Sequence, residues 1–283
     1  MTSYAANTRS PARRRKRWSP RTWALVALMV LITVAMMYPF GFMLNNSFKT
    51  QSQFDGAGGH SFTSWRKLTA AIPIWRELLN STIVCLLAIV VILGVSSLAG
   101  FAFAKLRYRL AALVFLAIVA AMLIPMQSII IPAYVNLSKV HLLTGYWAAV
   151  LVYAALGTPF ATFLMATYYR TLPDELVEAA IVDGLSYRGV FARIALPMSA
   201  PALITVIVLQ FIQIWDDLLV GLLFLQNPDD RTITVGLGIL SSGRTTDIPV
   251  LMAGSIVSAI PAIVVYLVFQ RQLVNGLTVG MGK

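Results

Sequence analysis

Leu78-Leu-Asn-Ser-Thr-Ile-Val-Cys-Leu-Leu-Ala-Ile-Val-Val-Ile-Leu-Gly-Val-Ser-Ser-Leu-Ala-Gly-Phe-Ala-Phe-Ala104 is a run of 27 residues without Asp, Glu, Lys or Arg, bounded by Glu77 and Lys105. About 20 mostly apolar residues suffice to cross a bilayer as a helix. Five more charge-free runs, of 27, 29, 30, 22 and 23 residues, lie at 22–48, 110–138, 140–169, 194–215 and 248–270. The six cover more than half of the 283 residues, and only 12% of the chain is charged. An ordinary soluble domain carries about 25%. This excludes a soluble enzyme, a nucleic-acid-binding domain and a disordered chain. It predicts an all-α, polytopic membrane protein with six transmembrane helices.

The net charge of +11 would suggest nucleic acid if it were spread over a soluble surface. Instead, seven of the 22 basic residues precede the first span: Arg9, Arg13, Arg14, Arg15, Lys16, Arg17 and Arg21. Basic flanks stay on the cytoplasmic side, so both termini are predicted inside a cytoplasmic membrane. That topology leaves 15 basic residues inside and seven outside. The expected organisation is a basic tail at 1–21 that touches anionic lipid, a transmembrane body at 22–270 and a cytoplasmic tail at 271–283. No small-residue cleavage site follows the first apolar run, so it is predicted to be retained. Cys85 is the only cysteine, which leaves no disulfide or cysteine-based metal site. His60 and His141 are expected in solvated outer segments. Trp23, Tyr146 and Trp147 suit interfacial anchoring.

Within the spans, Pro125 and Pro132 predict a bend in the third helix and Pro261 a break in the sixth. Residues 46–76 read as an outer segment with a flexible glycine-rich loop at 55–59, and residues 226–247 as a polar return. There is no internal repeat of the kind that builds many secondary transporters.

Only residues 171–197 form a substantial cytoplasmic loop. Thr171 is a possible N-cap and Pro173 fits a first turn. Asp174 and Glu175 sit where a helix dipole favours negative charge, and Leu176, Ala179 and Ala180 fall on one face. Gly184 can end that helix in the left-handed region. Ser186 can cap a second short helix carrying Phe191 and Ile194, which Pro197 closes. Two short helices at an angle make a rigid knob for a cytoplasmic partner; the alternative is an interfacial amphipathic hairpin.

Glu178-Ala179-Ala180, then Asp183-Gly184, Phe191 and Leu196-Pro197, resembles the EAA motif of ABC importer permeases. Leu185 departs from the small residue usual after the glycine. Asn45-Asn-Ser-Phe-Lys49, Asn80-Ser81, Ala99–Arg107, Ile124–Gln127 with Ile131-Pro132, and Gln270-Arg271 with Gly276–Gly280 extend the resemblance along nearly the whole chain. They resemble the smaller, six-helix partner of a maltose-type heterodimeric permease, and so imply a type I ABC importer transmembrane domain. The resemblance implies that Glu178, Ala179, Ala180, Asp183, Gly184, Phe191 and Pro197 couple to an ATPase. It implies the partners too: a second, unlike permease subunit, two cytoplasmic ATPase subunits and an extracytoplasmic sugar-binding protein. The C-terminal tail, with Gly280, Gly282 and Lys283, would reach between the ATPases. This chain has no Gly-x-x-x-x-Gly-Lys-Ser/Thr phosphate loop. It is therefore expected to be non-catalytic and to bind no cofactor, with ATP and Mg on the ATPase subunits.

Trp215-Asp216-Asp217-Leu218 puts two acids inside the fifth apolar segment, where charge costs at least about 2.5 kcal/mol unless it faces protein or water. Gln213 and Asp217 are four residues apart and would share a helical face, with Gln210 one turn earlier. Gln210, Gln213, Trp215, Asp216 and Asp217 are therefore candidates for a substrate path. Carboxylates and amides accept hydroxyl hydrogens, and an aromatic ring covers sugar C–H patches. A polar seam against the partner permease and a proton relay remain alternatives.

The expected function is ATP-driven import of a carbohydrate, of di- or oligosaccharide size, by alternating access. The hairpin would pass the ATPase motion to spans three to five. Alternatives are the same machine carrying an amino acid, polyamine or glycerol phosphate, and an ion-coupled secondary transporter.

Overall fold

The computed structural model describes residues 19–106, 108–243 and 247–279. Among them every regular element is helical. The basic residues up to Arg17, together with Arg107, Arg244 and the predicted tail residues Gly280, Gly282 and Lys283, lie outside the described residues.

Four helices are long and apolar enough to cross a membrane unbroken: α1 (Pro20–Ser47), α3 (Ile74–Lys105), α6 (Trp147–Thr171) and most of α13 (Ile248–Val279). Between the first two lies α2 (Thr63–Ala71). The third predicted span is two helices, α4 (Ala111–Ala121) and α5 (Met126–Lys139), bent by 97°. The hairpin comprises α7 (Asp174–Val182) and α8 (Tyr187–Val190), the latter continuing through a π turn at Phe191–Ala195 into α9 (Leu196–Met198). It bends by 71° into α10 (Ala200–Trp215). Then follow α11 (Leu219–Phe224), a 3-10 turn at Pro228–Asp230 and α12 (Ile233–Ser241). Counting each bent pair as one span gives six.

The core lies where α3, α6 and α10 meet. Ile92, Met165, Tyr169 and Val206 are fully buried there. A Cβ on Gly100 of α3 would fall 2.7 Å from Met165 Cβ and 2.9 Å from the Ala166 backbone nitrogen, so only glycine lets α3 and α6 approach this closely. By contrast, α1 buries none of its apolar window and packs mainly along α13.

The ends of the bundle are tied by polar groups. At the end away from the hairpin, Asn80 Nδ2 donates to the carbonyls of Asp229 (2.8 Å) and Arg231 (2.9 Å). Its Oδ1 accepts from the Tyr146 hydroxyl at 2.7 Å. Ser81 Oγ accepts from the Ile233 amide at 2.9 Å, which docks the start of α12 on α3.

Several local expectations are corrected. Residues 226–247 are not one polar loop: α12 buries Ile233 and Val235, because ten largely apolar residues follow the charged turn. The 46–76 segment holds the amphipathic α2, which buries Ser64 and Leu68. Glycines 56, 58 and 59 turn the chain before it at positive φ. The sixth helix is not broken at Pro261 and continues through the predicted tail boundary to Val279; membrane surroundings tolerate a helical proline. Thr171 is not an N-cap, since it ends α6 and donates to the Tyr168 carbonyl. Tyr146 is tied to Asn80, while Trp23 and Trp147 are exposed as expected of anchors. His60 is bonded to Asn45 (3.1 Å).

Candidate functional site

Two places gather the predicted site residues. The first is the hairpin. Pro173 precedes α7, and Asp174 and Glu175 fill its first turn. Gly184 has φ +89°, the left-handed turn expected of it. The Gly184 amide donates to the Ile181 carbonyl and the Leu185 amide to the Ala180 carbonyl, both at 2.9 Å. Ser186 Oγ caps the next helix by accepting from the Gly189 amide at 3.3 Å.

The inward face of α7 differs from the predicted one. Val177 and Ala180 are buried, while Leu176 and Ala179 are exposed. The register has turned by one residue because Val177 and Ala180 pack on the bundle at i, i+3 spacing. The outward face carries Glu178, Ala179 and Asp183 beside Val182, which is 87% exposed. Apolar surface next to carboxylates is thus left open at the tip. Pro197 is exposed in α9. Phe191 turns inward, its ring 5.4 Å from that of Phe101 on α3, and Phe101 lies 5.7 Å from Tyr169. The hairpin therefore rests on the second span as well as on the spans it joins.

The second place is a cavity of about 380 Å³ beside the break in the third span. Ile124, Met126 and Ile129 supply one wall, Pro159 and Phe160 of α6 another, and Gln210 and Gln213 of α10 the polar groups. Gln210 is only 2% exposed and Gln213 is exposed.

The five residues predicted as a substrate path are not brought together, and Gln210, Gln213 and Asp217 do not share one helical face. The helix ends at Trp215, so the four-residue spacing from Gln213 does not carry to Asp217. Trp215 is buried, stacks on Phe211 with centroids 5.2 Å apart and donates Nε1–H to the Ser258 carbonyl at 2.9 Å. Its ring is packing against α13, not a cavity wall. Asp217 Oδ1 accepts from the Val220 amide (2.8 Å) and the Tyr153 hydroxyl (2.9 Å). It caps α11 and satisfies a buried tyrosine. Asp216 is exposed at the break. The pairing with Tyr153 has no local sequence signal, because the two are 64 residues apart.

Residues 92–277, including the hairpin and the cavity's polar wall, match the family described as "Binding-protein-dependent transport system inner membrane component". The chain belongs to that family. The permease is 33% identical to a putative ABC transporter permease protein of Caldicellulosiruptor sp. (strain Rt8B.4), over 93% of this chain and 97% of that one. It is 31% identical to the arabinooligosaccharides transport system permease protein AraQ of Halalkalibacterium halodurans, over 75% of each. Its fold matches a bacterial ABC transporter structure involved in import of the acidic polysaccharide alginate. That match has a TM-score of 0.78 at 19% identity, covering 90% of this chain and 98% of the other. The permease is a multi-pass inner-membrane component of a transporter that works with other subunits.

Proposed function

We propose that the permease is the non-catalytic membrane subunit of an ATP-driven carbohydrate importer working by alternating access. The observation that carries this is two glutamine amides set in an otherwise apolar cavity at a broken span. An amide both donates and accepts, so a pair of them matches hydroxyl groups that do the same, and neither repels a neutral cargo. The carbohydrate named for the AraQ relative supports this class. The substrate path on this side is then Gln210 and Gln213, and Asp216 and Asp217 shape the helix break next to it.

The other subunits in this proposal are a second, unlike permease, two cytoplasmic ATPases and an extracytoplasmic sugar-binding protein. ATP and Mg belong to the ATPases. Both termini are cytoplasmic, so the hairpin faces the ATPases and Asn80's contacts face outward. The exposed Glu178, Ala179, Val182 and Asp183 are the docking face, with Gly184 setting the angle behind them. Gly280, Gly282 and Lys283, outside the described residues, are the tail that contacts the ATPases in this proposal.

The test is ATP hydrolysis by the reconstituted importer, stimulated by its binding protein, across a panel of mono- and oligosaccharides. Stimulation by an oligosaccharide is the expected result. Stimulation by an amino acid, a polyamine or glycerol phosphate instead would overturn the cargo class, and uptake without any ATPase would overturn the machine. Gly184→Pro tests the hairpin: proline holds φ near −65° and cannot adopt +89°. Uptake should be abolished with membrane insertion intact.

A further inference from the structure

Lys105 ends α3 and is bonded where lysines seldom are. Its side chain is 3% exposed, although lysine is almost never fully buried without a partner. Nζ donates to the Leu172 carbonyl at 2.5 Å and to Asp174 Oδ1 at 2.6 Å. Leu172 is the buried C-cap of α6, and Asp174 is the first residue of α7. One ammonium therefore fastens both sides of the elbow between the fourth span and the hairpin to the end of the second span. The other two ion pairs among the described residues, Lys67–Asp247 and Arg76–Asp229, have both cations about half exposed, where such pairs contribute little.

The bonds of Lys105 do something that the apolar contacts beside them cannot. Phe101, one turn earlier on α3, meets Phe191 at 5.4 Å. Apolar contact is non-directional, so those rings can slide over one another as the hairpin moves. A charge-assisted hydrogen bond is short and directional, and two from one atom fix the elbow's register on α3. Beyond Lys105 a polar cavity of about 310 Å³ opens, lined also by Val177, Glu178 and Tyr187. The fastening is thus immediately behind the outward face of α7.

We propose that Lys105 is a positioning residue for transport: it locks the α6–α7 elbow to α3, so that displacement of the hairpin reaches the second span instead of dissipating at the elbow. This rests on the reading of residues 171–197 as the ATPase-docking element.

The test uses the complete reconstituted importer with its ATPases and binding protein. Three quantities are read: ATPase retained on purification, basal hydrolysis, and binding-protein-stimulated uptake. Lys105→Met keeps the side-chain length and removes the charge. It should retain the ATPase and basal hydrolysis while stimulated uptake falls about fivefold or more, the lower end of ordinary coupling between sites. Lys105→Arg keeps the charge, has the adjoining cavity to occupy, and should restore most of the uptake. Unchanged uptake in Lys105→Met would overturn the proposal. So would loss of the ATPase from that complex, because Lys105 would then serve docking and not transmission. If Lys105→Met does not accumulate, Asp174→Ala decides. Asp174 is 66% exposed and its removal leaves the bond to Leu172, so a smaller fall in uptake supports the proposal and normal uptake overturns it. A wild-type complex that carries no ATPase would instead overturn the docking reading itself, before any variant is compared.

Discussion

The third and fifth predicted spans are both interrupted, and by opposite means. Between α4 and α5 the chain turns at Pro125, which has no amide hydrogen to give and ends the first helix by denial. Between α10 and α11 no proline is present. There the helix stops because Asp217 offers the Val220 amide a better acceptor than the backbone does, and accepts Tyr153 as well. Non-helical backbone at membrane depth is tolerated only where protein or a water-filled cavity satisfies it. The first break meets that condition by bordering the 380 Å³ cavity, the second by side-chain repair. One break thus gives room, and the other gives anchorage.

That contrast can be broken at the second site. Asp217→Ala removes a cap and orphans the buried Tyr153 hydroxyl, which together should cost about 2–4 kcal/mol. Thermal unfolding of the detergent-solubilised permease would register this, and an unshifted midpoint would show that the break holds without its carboxylate. Gln213→Ala probes the cavity that the first break opens. The half-saturating cargo concentration should rise about two- to tenfold, the worth of one lost neutral hydrogen bond, with no change in unfolding. Tyr153→Phe keeps the cap on Val220 and loses one bond, so about 0.5–1.5 kcal/mol of stability. Asp216→Asn should lie within about 0.5 kcal/mol of wild type, since Asp216 is exposed. A larger loss there than at Asp217 would reverse the assignment of the two acids.

The two interruptions also mark how far the sequence is legible. Pro125 announces itself, because its effect is local and covalent. Asp217 does not, because its decisive partner lies 64 residues away. Extending helical periodicity through it produced a stripe that the chain does not form. Charge spacing located the six spans but hid α12, which is too short to cross a membrane and sits next to Asp229, Asp230 and Arg231. Ile233, Val235 and Gly236, all buried, were its available signal. In the hairpin, Gly184 and Ser186 behave as their residue types require. The inward face of α7 is legible only to within one position, because Leu176, Val177 and Ala179 are all apolar enough to be buried. Only packing against the bundle chooses among them.

Of the four long helices, α1, α6 and α13 each contain a proline and α3 does not. At about 1.5 Å per residue, its 32 residues make an unbroken strut of roughly 48 Å. Asn80 and Ser81 clamp one extremity to the turn before α12, and Lys105 clamps the other to the elbow before α7. A beam fastened at both ends and stiff between them has no slack to take up. Any tilt imposed at one face of the membrane must therefore appear at the opposite face at once, with its sense reversed if the tightly packed middle around Ile92 serves as the pivot.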